Sequence, residues 1–221
     1  MPGLTALRLG LCALLISWSS GAGTAAEQRA HEFDYYLLAL SWSPTYCASR
    51  ARRDPLQCDQ GRRYHFVVHG LWPQYRNGWP QYCAAAGVSL PRPLLAAMLD
   101  IMPSFRLIQH QWMKHGTCTG LAPGDYFALT RRLYDAIEIP ARYRDPRKSI
   151  EMSVDQIVAD FVAANRNLAP DMISVKCGNR RDRAQLVELG ICFSPQGALR
   201  SCGANEKRQC RADRLVLPRL R

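Results

Sequence analysis

The chain has 221 residues, 29 Lys and Arg against 18 Asp and Glu for a formal net charge of +11, nine cysteines, and a hydrophobic content of 48%. That is enough apolar material for one domain with a core, and no stretch reaches the roughly 20 consecutive apolar residues of a membrane-spanning helix. The charge favours a polyanionic partner such as nucleic acid, although solubility alone would also be served by it.

Residues 1–26 read as a secretory signal: Arg8 supplies the positive charge, residues 9–18 are a short apolar run, and 19–26 are small residues. Its removal leaves residues 27–221 as a single domain, exported to a periplasm or out of the cell. Arg8 is the only charged residue lost, so the excess becomes ten. Cys12 goes too, and the remaining eight cysteines are an even set that in an oxidising compartment suggests four bridges.

Residues 35–42 form an aromatic and aliphatic run, predicted as a buried strand that Ser43-Pro44 ends. Cys47 and Cys58 bracket a polar loop with Arg50, Arg52, Arg53 and Asp54, and Arg62 and Arg63 follow. The loop is either a pinned basic flap or merely a solvated surface. A second strand is predicted over 64–69, running into a turn at 70–75, so that its end presents His69. His65, four residues earlier, would share that face in a strand but reads as a structural histidine.

Asn77-Gly78 and Trp79-Pro80 mark loop, ending at Cys83. A helix is predicted over 91–102 with Leu94, Leu95, Met98 and Ile101 on one side, broken by Pro103; Ser104 then caps the next. That helix carries His110-Gln111-Trp112-Met113-Lys114-His115-Gly116-Thr117-Cys118. At about 100° per residue His110, Gln111, Lys114 and His115 share one face, Trp112 and Met113 anchor the other, and Gly116 is where the helix stops. A further helix is predicted over 126–139, closed by Pro140. Ser153-x-x-Gln156 has the form of a capping box, followed by a core stripe of Val154, Ile157, Val158, Phe161 and Val162. Strands are predicted over 173–177 and 185–193. The arginine-rich end, 206–221, has no period and reads as a solvated tail that could also touch RNA phosphates.

Several imidazoles and a lysine with no evident metal set suit acid–base chemistry on a group that develops negative charge. With a basic surface, cleavage of an RNA phosphodiester is the natural candidate, because the 2′-hydroxyl is a built-in nucleophile. A bridge between Cys83 and Cys118 would draw His69 to the helix face, and closing a loop of about 36 residues would contribute roughly 3 to 4 kcal/mol. A zinc site is the alternative use of His115-x-x-Cys118, although no Cys-x-x-Cys completes it.

His69-Gly70-Leu71-Trp72-Pro73 and the segment from His110 to Cys118, in that order and about forty residues apart, resemble the two active-site segments of the ribonuclease T2 family. Trp42-Ser43-Pro44-Thr45-Tyr46-Cys47 and the cysteine pattern extend the resemblance. It implies an α+β fold, an antiparallel sheet packed against several helices in one disulfide-bonded domain. It also implies an endoribonuclease that cleaves single-stranded RNA through a 2′,3′-cyclic phosphate with low base specificity, as a monomer and without a cofactor, metal or protein partner. By resemblance His115 is the general base, His69 the general acid, and His110 and Lys114 the phosphate-binding groups. Trp72 is a base-stacking wall or else a buried turn aromatic, with Gln74 and Tyr75 beside it as further substrate-binding candidates. The implied bridges are Cys47–Cys58, Cys83–Cys118, Cys177–Cys210 and Cys192–Cys202. One position departs: the residue after His110 is commonly Glu in the family and is Gln111 here. The rival readings are a catalytically silent RNA-binding or cationic secreted protein and a zinc hydrolase.

Overall fold

A computed structural model describes residues 32–50, 54–59, 61–84, 89–180, 183–207 and 210–220. The signal read in residues 1–26, and Arg52 and Arg53 of the basic loop, lie outside these residues. The described chain is a sheet of six strands with helices packed against it. The strands are β1 (Tyr35–Trp42), β2 (Phe66–Gln74), β3 (Ile150–Met152), β4 (Ile173–Arg180), β5 (Arg183–Phe193) and β6 (Leu215–Leu217). The order is β2-β1-β5-β6-β3, with β4 also paired to β5. All pairings are antiparallel apart from a parallel contact of β5 with β6 at Gln185 and Val216.

Sheet position explains why β1 reads as a continuous apolar run. Both of its edges are paired, to β2 and β5, and both of its faces are covered. Tyr36, Leu38, Leu40 and Trp42 face the main core, while Tyr35 and Leu37 join Cys192, Trp72 and Cys202 on the opposite face. Chain reversal after Trp42 is helical: Ser43 and Pro44 open α1 (Ser43–Arg50), and a single turn, α2 (Pro55–Cys58), follows. Asp54 before it is buried, accepting from the Tyr46 hydroxyl and from the Ser104 hydroxyl. The predicted polar loop is therefore a folded corner at this point.

Several predicted boundaries differ, among them the strands predicted over 173–177 and 185–193, which are β4 and β5 at their greater lengths. The strand predicted to end at His69 continues to Gln74, because Gly70 to Gln74 keep pairing with β1. The helix predicted over 91–102 is helical only in α3 (Arg92–Ala96); hydrogen bonds three residues apart then tighten it, as in Met98 N–H to the Leu95 carbonyl. The helix predicted over 126–139 is α5 (Pro123–Asp135), started earlier by Pro123, whose missing N–H costs nothing in a first turn. Between these lies α4 (Phe105–Lys114), whose Ser104 cap accepts the Leu107 N–H as expected.

After the short α6 (Ala141–Arg144), the capping box of Ser153 and Gln156 forms with both reciprocal bonds and starts α7 (Val154–Ala164). Ile157 and Phe161 are fully buried and Val154, Val158 and Val162 pack beside them, so that stripe is core. The chain end is the clearest correction. Instead of a solvated tail, Leu215–Leu217 is a strand between β5 and β3. The Pro218 carbonyl accepts from the Trp42 indole, and Leu220 is buried. Apolar residues at 215, 217 and 220 fill the sheet edge that β1 vacates when it turns into α1.

Four bridges join Cys47–Cys58, Cys83–Cys118, Cys177–Cys210 and Cys192–Cys202. No helix among the described residues is long and apolar enough to cross a membrane.

Candidate active site

His69 owes its position to an irregularity. β1 and β2 shift register between Ala39 and Leu40: Gly70 opposes Ala39 and Val68 opposes Leu40, so His69 has no partner on β1. The Val68 N–H leaves the ladder and donates to the Ile101 carbonyl (2.8 Å). The extra residue changes the alternation of faces, as bulges do. Phe66, Val68 and Leu71 face the main core, whereas His69, Trp72 and Gln74 line a cavity of about 320 Å³ on the other side.

The second half of the cavity is the C-terminal end of α4. His110, Gln111 and Lys114 line it from the helix, and His115 lines it from the cap position just beyond. His115 is thus outside the helix, with a non-helical φ of −122°, while its N–H still closes the last turn on the Gln111 carbonyl. Gly116 follows because a Cβ there would lie 2.3 Å from the Trp112 ring. The hydroxyls of Thr117 and Thr119 donate to the Met113 and Gly116 carbonyls, satisfying groups that a helix end leaves open.

Gly70 and Gln111 set how closely strand and helix approach. A Cβ on Gly70 would lie 2.2 Å from Gln111 Oε1 and 2.4 Å from Trp72 Nε1. Across that gap the Trp72 indole N–H donates to Gln111 Oε1 (2.7 Å). Trp72 in turn meets the His69 ring edge-on at 5.1 Å between centroids and stacks on His115 at 5.2 Å. The two imidazoles flank a single indole, which positions both.

Their surroundings differ. His69 Nδ1 is 2.6 Å from Glu188 Oε2 of β5. A carboxylate accepts, so the proton sits on Nδ1 and Nε2 is left to face a substrate. His115 is only 4% exposed, and its Nδ1 has no hydrogen-bond partner among the described residues. Burial, reinforced by the charges of Lys114, His69 and His110, pushes its pKa from 6.5 down to about 3. His110 is lowered as well, by desolvation and then by Lys114 and His69. His65 lies elsewhere: Phe66 N–H donates to its Nδ1, and burial and Arg144 lower its pKa, as a structural histidine requires.

Glu188 is a residue that spacing along the chain did not single out, and so are Trp79, Lys176, Asn205 and Glu206, which with Leu37 complete the lining. The Asn205 amide donates to the carbonyls of Tyr75 and Gly78 and accepts the Gly78 N–H, clamping the turn after β2. Gln74 lines the cavity, while Tyr75 is not among its lining residues and closes the turn through its backbone. The buried Glu206 accepts from the Tyr35 hydroxyl. Trp79, 51% exposed, presents an open aromatic face at the rim. Cys118 is bridged to Cys83, which removes it from the zinc reading of His115-x-x-Cys118.

Similarity to known proteins follows these segments. Residues 33–202 match the Ribonuclease T2 family. A ribonuclease of Aeromonas hydrophila is 44% identical over 130 residues, 58% of this chain and 57% of the relative. A probable ribonuclease of Haemophilus influenzae is 33% identical over 182 residues, 76% of this chain and 61% of the relative. The matches thus span about three fifths of these bacterial relatives. The fold is shared with the self-incompatibility-associated SF11-RNase of Nicotiana alata, at a TM-score of 0.67 and 19% identity over 85% of this chain and all of that one. With the matched region running from just before β1 to Cys202, and so through both histidine segments and Glu188, the chain belongs to the ribonuclease T2 family.

Proposed function

We propose that the protein is an exported endoribonuclease that cleaves single-stranded RNA by transphosphorylation. The observation that carries this is the pair His69 and His115 on one indole, the first oriented by a carboxylate and the second kept neutral by burial. Neutral His115 takes the proton of the 2′-hydroxyl, and the 2′-oxygen attacks phosphorus. His69 gives a proton from Nε2 to the departing 5′-oxygen, with Glu188 as the counter-charge to its ring. The products are a 2′,3′-cyclic phosphate and a 5′-hydroxyl. His110 and Lys114 face the same space and suit the charge that grows on the phosphoryl oxygens.

Trp79 supplies a face on which any base can stack, in keeping with low base specificity, while Trp72 is engaged with its neighbours and positions the histidines. The four bridges are the chemistry of an oxidising compartment and support export.

The test uses purified protein, RNA and the same sequence as DNA, in excess chelator. RNA is cut to fragments with cyclic-phosphate ends and DNA is untouched, since it has no 2′-hydroxyl. Salt-sensitive RNA binding with no cleavage from mildly acidic to neutral pH would leave the silent binding protein in its place, and chelator-sensitive cleavage would favour a metal hydrolase.

Gln111 gives a second expectation. Its oxygen is committed to Trp72 and it is 2% exposed, so its amide nitrogen is what it has to offer a phosphoryl oxygen. In Gln111→Glu the bond from Trp72 becomes charge-assisted and the site regains a carboxylate. The carboxyl can carry and exchange a proton as the amide cannot, so the amide donor is replaced by a group whose hydrogen bond to the phosphoryl oxygen strengthens as charge grows there. Turnover on RNA is expected to rise roughly fivefold, the equivalent of ~1 kcal/mol. Unchanged or lower kcat would remove this account of position 111.

A further inference from the structure

We propose that Lys176 forms a second phosphate subsite, which engages the phosphate on the 3′ side of the departing nucleoside. The proposal rests on the transphosphorylation reading and extends it to the length of substrate that the site is built to hold.

Lys176 lies on β4 directly opposite Glu188 on β5, so the two side chains leave the sheet on the same face. That face carries the cavity, and Lys176 lines it together with His69, Lys114 and His115. A lysine opposite a glutamate would ordinarily form an ion pair. Glu188 instead turns across the sheet to His69, and the Lys176 side chain has no ion pair or hydrogen bond with any described residue. Some carboxylates elsewhere are paired with arginines, as in Arg131–Asp100, Arg142–Asp160 and Arg214–Glu151. Among the described residues, Lys176 and Lys114 are the two lysines on the wall of this cavity, and the carboxylate that stands opposite Lys176 is turned away to His69.

Its place in the row sets which phosphate it meets. In the order β2-β1-β5-β4, His69 stands on the first strand and Lys176 on the fourth, three spacings of about 4.8 Å away. His110 and Lys114 come from the helix that packs beside β2, and His115 from the cap just beyond its end. The scissile phosphate belongs between His115 and His69, and the leaving group is on the His69 side. Beyond it, along His69, Glu188 and Lys176, the next group of the chain is the 3′ phosphate of that leaving nucleoside. A lysine acting there adds affinity without touching the bond that breaks.

The alternative role is that of counter-charge to the buried Glu188, which would act through His69 on every substrate alike. Three synthetic substrates with the same bases separate the two: a dinucleoside monophosphate, the same with an added 3′-terminal phosphate, and the same with an added 5′-terminal phosphate. For the wild type at low salt, kcat/KM is expected to rise roughly three- to tenfold on adding the 3′ phosphate, in line with one neutralised phosphate, and less on adding the 5′ phosphate. In Lys176→Gln the 3′ gain disappears, and the salt dependence on the 3′-phosphorylated substrate falls by roughly 0.7 in log–log slope. An equal proportional loss on all three substrates, a loss confined to the 5′-phosphorylated one, or a 3′ gain that survives in the variant overturns the subsite while leaving the ribonuclease reading intact. Failure of the wild type to cut any of the three removes that reading and this one with it.

Discussion

His115→Ala is expected to lower kcat/KM on RNA by about 10² to 10⁴, the usual contribution of a positioned acid–base group. Its affinity for an uncleavable 2′-deoxy analogue should change little. Because His115 is buried against Trp72, alanine also leaves a hole beneath the indole. His115→Gln, closer in volume, should therefore show the same catalytic loss with a smaller loss of stability. The pH profile provides an independent check. A general base works deprotonated, and the depressed pKa of about 3 means that His115 keeps that form far below the ordinary histidine value. The acid limb of kcat/KM should accordingly lie near pH 3 to 4. A limb near 6 would mean that burial does not act on the base as described, or that another group is the base. Stability follows the same linkage: between 6.5 and about 3 the unfolded chain binds the proton more readily, so this residue makes folding less favourable as pH falls through that window. His115→Ala removes that dependence, which chemical denaturation at several pH values would detect.

Breaking the bridge between Cys83 and Cys118, by Cys83→Ser with Cys118→Ser, is expected to cost roughly 3 to 4 kcal/mol from loop entropy alone. The two cysteines are 35 residues apart in sequence. For a chain of this size, each kcal/mol corresponds to about 2 to 4 °C in Tm. Activity should suffer more than stability at temperatures where the variant stays folded. The bridge holds the segment carrying Tyr82 against the end of α4, where the Tyr82 N–H donates to the Lys114 carbonyl (2.9 Å) and its ring meets His110 edge-on. Tyr82 is also the one described non-glycine residue with positive φ, at 54°. Such a conformation persists only where its surroundings over-determine it, so release of the bridge lets this segment relax away from Lys114 and His110. Thermal melts with RNA cleavage at a temperature well below both midpoints separate the two losses. Unaltered turnover in the folded double variant would show that the bridge stabilises the fold without shaping the site.

Much of the site was legible because its chemistry is crowded into short stretches. His110, Gln111, Lys114 and His115 fall together from helical spacing alone, and Ser104 and Ser153 announce their helices through the bonds their side chains make to nearby backbone. Legibility fails where position depends on a partner far along the chain. A strand end at His69 was a reasonable inference from His-Gly, but only pairing with β1 shows that the strand continues and that His69 is its unpaired residue. Leu215 to Leu220 looked like a tail because a three-residue strand has no period to display, and the sheet edge that it fills is made by β1 and β5.

What the amino-acid sequence by itself determined is the cluster of candidate acid–base and cationic groups, the family resemblance, the helix caps and an even set of cysteines, all properties of residue type and short-range spacing. The tertiary structure alone decided the working arrangement. Glu188 reaches His69 from 119 positions away, and its relation to the site comes only through the sheet. Trp72 lies between the histidines because a register shift turned both it and His69 to the same face, and Gly70 let the helix close over them. His115 is kept neutral by burial and by three neighbouring cations or potential cations, an electrostatic environment that exists only when strand and helix are brought together.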